Sequence, residues 1–108
     1  MTTLTIKQLA NGQVSSATSS MYTVAASTTA IVKTITLVNT NTITESVELY
    51  VLKASGTARR IIPQATQLQP GYQLEIDSPI TLGAADAIQG STTTGAKVDF
   101  VISGVEEA

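Results

Sequence analysis

The sequence predicts an all-β chain, folded as an antiparallel β-sandwich of seven to eight short strands, and three observations carry that expectation. Apolar and polar residues alternate in short runs, most plainly in Ser46–Leu52, where Val47, Leu49 and Val51 point one way and Glu48 and Tyr50 the other. Turn-forming pairs such as Asn11-Gly12, Ser55-Gly56 and Pro70-Gly71 separate the runs. No window shows sustained helical spacing. Many short strands with regular turn signals are the mark of a sandwich, and Ig-like and jelly-roll-like topologies fit equally.

The elements follow in order. Leu4, Ile6 and Leu9 mark a first strand, broken at Asn11-Gly12, and "ANGQVSSATSS" reads as a loop. Met21–Val24 is a second short strand. Ala30–Thr40 carries apolar residues on both parities: Ile31, Ile35 and Leu37 on one, Val32 and Val38 on the other. That pattern suits a central strand with one face more buried than the other. "NTNTITE" then bends the chain, because Asn and Thr side chains bond their own backbone. After Ser46–Leu52, a short strand over Ala58–Ile62 is ended by Pro63. Pro70-Gly71 suits a type II turn, since Pro presets the first central φ and Gly accepts the positive second one. Tyr72, Leu74 and Ile76 are expected inside, with Gln73, Glu75 and Asp77 outside. A corner, "PITLGAADAIQG", leads into a strand near Ala87–Gln89. Lys97–Val105 closes the fold with Val98, Phe100 and Ile102 inward. The expected organisation is a single domain over residues 1–108, with 1–14 either an N-terminal arm or an edge strand.

Composition narrows the function. Charged residues make up 13% of the 108 residues, about half the roughly 25% of an ordinary domain. Thr and Ser stand in their place, and a surface poor in charge packs against another protein at small desolvation cost. A net charge of −2 without a basic cluster offers nucleic acid and anionic lipid no attraction. The N-terminus lacks the basic and continuous apolar regions of a signal peptide, and no run approaches a spanning helix, so the expectation is a soluble chain made in the cytoplasm.

The chain contains neither His nor Cys. The usual general-base and nucleophile pairings and His/Cys zinc sites are therefore excluded, and no cofactor or metal is expected. Glu75 and Asp77 share the outer face of one strand, but outward acids on a strand are ordinarily solvated. Asp86 is expected to bond backbone amides in its own corner. Arg59-Arg60 is the single basic pair; it could grip a carboxylate patch on a partner. As strand neighbours, however, the two point to opposite faces. Tyr22, Tyr50 and Tyr72 are too scattered for a nucleobase platform. An exposed edge at the N-terminus invites a neighbour's strand. The candidate partner-binding residues are accordingly Thr2, Leu4, Ile6, Arg59 and Arg60.

The ordered series "MYTVAASTTAIVKTITLVNTNTITESVELYVLKASG", "LQPGYQLEIDSPITLGAADAIQG" and "VDFVISGVEEA" resembles small β-sandwich virion proteins of tailed bacteriophages. The resemblance spans Met21 to Glu107, and the order of the segments carries it. The chain departs from the pattern at Ala85, where Gly is usual at the corner; Ala resists positive φ. The resemblance implies a non-enzymatic structural protein of the virion, made in the host cytoplasm. It implies first a capsid decoration, or cement, protein that contacts the major capsid protein or other virion proteins, as a homotrimer suited to local threefold positions. A tail- or neck-associated protein and a host-surface glycan-binding module are the alternatives.

Overall fold

The computed structural model describes residues 3–108. Its strands are β1 (Leu4–Gln13), β2 (Ser19–Thr23), β3 (Thr29–Asn39), β4 (Glu45–Leu52), β5 (Arg59–Arg60), β6 (Thr66–Leu68), β7 (Gln73–Ile76), β8 (Ile80–Leu82), β9 (Ala87–Thr92) and β10 (Val98–Glu107). One sheet runs β1-β10-β3-β7, with β8 also on β3. The other runs β2-β9-β4-β5, with β6 also on β4. All pairings are antiparallel. The two sheets pack face to face as a β-sandwich.

The ten strands among the described residues exceed the seven or eight expected. The additions are β6 and β8, three residues each, too short for two full periods of alternation to be visible. The first strand is also longer than expected: β1 continues through Asn11-Gly12, paired to Val101 and Phe100 of β10. A β-bulge accounts for the misleading pattern. Gln8 faces Ser103 and Ala10 faces Ile102, so Leu9 is the extra residue and the alternation restarts there.

The same device explains the mixed parity of β3. Ser103 faces Thr34 whereas Gly104 faces Val32, which leaves Lys33 as the extra residue. On one side of it Ala30 and Val32 are buried; on the other Ile35, Leu37 and Asn39 are. Ile31 therefore sits on the outer face, against the expectation that it shares the inner face with Ile35 and Leu37. Gly104 is required here, since a Cβ would lie 2.0 Å from the Ile31 carbonyl oxygen.

The core forms where Ile35, Leu37, Phe100 and Ile102 of one sheet meet Val47, Leu49 and Ile88 of the other. Burying each such side chain fully contributes about 1.5–3 kcal/mol. The Pro70-Gly71 turn is as expected, with Gly71 at φ 76° and the Tyr72 N–H donating to the Gln69 carbonyl at 3.0 Å. Tyr72, expected inside, lies on the surface instead. It is 62% exposed. It is the last residue of the turn, and its carbonyl accepts the Asn39 N–H, so alternation begins only at Gln73. Leu74 and Ile76 are half-buried rather than fully inside. Ala85 adopts φ 67°, the left-handed conformation that the usual Gly would take without strain.

Candidate interaction surfaces

The acidic side chains that the fold buries are occupied in holding loops. Glu45 has no exposed surface; it accepts from the Thr94 N–H at 2.7 Å and from Asn41 Nδ2 at 3.0 Å. Burial alone would raise its pKa. The bonds from Thr94 and Asn41, with Lys97 nearby, hold it below the usual glutamate value instead. Asp86 accepts from the Ala54 and Gly83 N–H groups at 2.9 Å each and faces Lys53 at 3.4 Å. Those two amides, and secondarily Lys53, keep its pKa low. Asp86 thus does bond its own corner, and it also pins the Lys53–Gly56 turn.

The sheets are joined at one end by a polar cluster. The Tyr22 hydroxyl, on β2, donates to Glu106 of β10 at 2.5 Å, and Lys7 of β1 reaches the same carboxylate at 3.1 Å. The Tyr22 bond and then Lys7 lower the Glu106 pKa; burial first, and then the carboxylate, push the Tyr22 phenol well above its ordinary value. No group of three or more metal-binding carboxylates forms among the described residues.

The candidate residues fall on two separate surfaces. Arg60 lies on the outer face of β5, opposite Tyr50 of β4. Its guanidinium sits 5.0 Å from the Tyr50 ring centroid and bonds Glu48, which also accepts from the Ala65 N–H. That pairing, Arg60 foremost, lowers the Glu48 pKa. Arg60 is therefore engaged within its own sheet. Arg59, opposite Val51, is exposed and projects from the other side of the strand. The pair does not form a joint cationic site. Glu75 and Asp77 are both exposed.

Leu4 and Ile6 lie together on the other sheet, on the outer face of edge strand β1, 69% and 87% exposed. Ile6 is opposite Val105, and Val105 opposite Ile31, so one apolar row crosses three strands. Beside it an open groove of about 430 Å³ is lined by Ile6, Lys7, Lys33, Ser103, Gly104 and Val105. Thr2 lies outside the described residues.

The Tyr22–Glu106–Lys7 cluster was not anticipated from the sequence, because its members are far apart in the chain. Glu45 left a usable signal: it shares the parity of Val47 and Leu49 and so had to point inward. The groove left none, since it depends on the Lys33 bulge.

No protein-family model matches the chain, and no curated protein matches it. Among solved structures it is similar to a chain of the T13 viral particle of infectious bursal disease virus, at a TM-score of 0.52 and 9% identity, over 98% of this chain and 30% of that one. A chain from the Gx strain of the same virus superposes at 0.48 with 13% identity, over 99% of this chain and 32% of that one. An endo-xylanase 10B of Clostridium thermocellum, in its CBM22-1–GH10 modules with xylohexaose, reaches 0.37 with 18% identity, over 99% of this chain and 24% of that one. The chain thus spans less than a third of each of these proteins, and what it shares with the first is the sandwich fold.

Proposed function

We propose that this chain is a non-enzymatic structural protein of a virus particle, and within that class a capsid decoration protein of the tailed-bacteriophage kind. The observation that carries the reading is the surface left over once the fold is built. The buried carboxylates are committed to loops and to the Tyr22 bridge, while the exposed side chains include an apolar edge at Leu4 and Ile6, on a chain with only 13% charged residues. Such a surface suits packing against other subunits. The sandwich it shares with a chain of a viral particle is in keeping with this, and the phage assignment rests on the ordered segments of the sequence.

The mechanism is linkage. A protein that binds assembled shell subunits, and not separated ones, lowers the free energy of the assembled state. Individual contacts with the major capsid protein can be weak, because many copies act together and oligomers raise the effective concentration. The shell-facing contacts are assigned to the exposed Arg59, and the apolar β1 edge to contact between copies of the chain.

Co-sedimentation with emptied shells, followed by their thermal disruption, tests this. The protein should pellet with shells and raise the disruption temperature. Protein left in the supernatant would overturn the decoration role; pelleting with tails, or capture on a glycan array, would select one of the alternatives.

A further inference from the structure

We propose that β1 is the seam of a twofold homodimer, in which the β1 strands of two copies pair antiparallel about Ile6 and fuse their sheets into one. The inference does not depend on the virion reading.

The first ground is that β1 lacks the protection its fellow edges have. Natural sheets guard an edge with short strands, charges, proline or bulges. The edges β5 and β6 have two and three residues, and Arg59, Arg60 and Pro63 adjoin them. On the far side of the β1 sheet, β7 and β8 have four and three, with Glu75 exposed and Pro79 adjacent. Edge strand β2 has five residues and a bulge at Met21. β1 has ten. Between Leu4 and Gln8 it has no proline and no bulge, and its one charge, Lys7, is already paired with Glu106.

The second ground is the direction of its backbone groups. Thr3 and Ala108 exchange both hydrogen bonds, at 2.8 and 3.1 Å. In an antiparallel ladder such pairs alternate with non-bonded ones. Thr5 and Lys7 therefore bond inward to Glu106 and Gly104, and Leu4, Ile6 and Gln8 turn their N–H and C=O groups away from β10. Two of these three residues, Leu4 and Ile6, also carry the exposed apolar side chains of the strand.

The third ground is self-complementarity, which selects a second copy as the occupant. Pairing centred on Ile6 sets Ile6 opposite Ile6 of the mate and Leu4 opposite Gln8, so every outward donor meets an outward acceptor. Lys7 then falls opposite Thr5, and no like charges meet. The apolar rows Ile6–Val105–Ile31 of the two copies become continuous. An isologous contact of this kind closes at two copies, not at the three that the resemblance implies. It also leaves Arg59 to face the shell.

Sedimentation equilibrium on the intact chain should give a mass of two chains. Ile6→Lys places two ammoniums at the seam and should raise the dissociation constant about tenfold or more. Ile6→Pro removes an outward N–H without touching the inner ladder and should do the same, with thermal unfolding of each variant checking that the sandwich persists. Because the chain has no cysteine, Ile6→Cys should form a disulfide-linked dimer on mild oxidation, while Gln13→Cys should not. A monomeric or trimeric wild-type protein, or Ile6→Cys that fails to cross-link as a folded protein, would overturn the proposal.

Discussion

The hydroxyl of Tyr22 and the carboxylate of Glu106, 84 positions apart in sequence, meet at 2.5 Å and tie the two sheets together at one end of the sandwich. Lys7 completes the cluster at 3.1 Å and secures edge strand β1 to the same point. Tyr22→Phe keeps the ring and removes the bond. Hydrogen bonds to charged groups contribute about 1.5–3 kcal/mol, and Glu106 keeps Lys7 as a partner, so the expected loss is at the lower end, about 1.5 kcal/mol. Urea unfolding of the two proteins measures it; identical midpoints would show that the bridge contributes nothing.

Acid should weaken the fold through the same groups. Glu45, Glu48, Asp86 and Glu106 all have lowered pKa values in the folded chain, because each accepts hydrogen bonds as a carboxylate. A depressed folded pKa means that the unfolded chain takes up the proton first. The stability from these bonds is thus fully present above the ordinary carboxylate range and is lost as pH falls through the folded values. The melting temperature should be flat from about pH 7 to about pH 5 and drop below about pH 4. A melting temperature that held constant down to about pH 2 would contradict the assignment.

Core truncations should rank by burial. Phe100 is 6% exposed and packs across the β1 backbone at Gly12. Phe100→Ala should cost about 3–5 kcal/mol. Leu74→Ala, at a half-buried position on the β7 edge, should cost less, about 2 kcal/mol, the bottom of the range for such truncations. The reverse order in denaturant titrations would mean that the core is centred elsewhere.

Ala85 offers a gain. At φ 67° an alanine carries about 1–2 kcal/mol of strain, against roughly 0.4–1 kcal/mol of chain entropy favouring Ala over Gly. Ala85→Gly should therefore stabilise by about 0.5 kcal/mol, seen as a small rise in melting temperature. A fall would show that the corner tolerates alanine without strain.

Much of this architecture was written in local pattern. The alternation of Ser46–Leu52 gave the inner face of β4 directly, and Pro70-Gly71 gave its turn, because each depends on residues adjacent in sequence. The errors lie where pairing decides. The bulges at Leu9 and Lys33 reverse which parity is buried, and each is a one-residue shift of register against β10 that only the pairing reveals. Tyr72 looked like a core residue until the turn claimed its backbone. The candidate surface was half legible: exposed Leu4 and Ile6 could be picked out as edge residues, but the groove beside them is assembled by the Lys33 bulge and Gly104. The opposite-face placement of Arg59 and Arg60 followed from strand parity. Arg60's engagement with Glu48 and Tyr50 did not, since it needs β5 beside β4.

The reading of this chain as a decoration protein is tested most directly by a density map of whole particles that contain it. A sandwich-shaped density seated on the outside of the assembled shell, bridging neighbouring shell subunits, is expected. A shell without that density, or the protein seen at the tail alone, would contradict it.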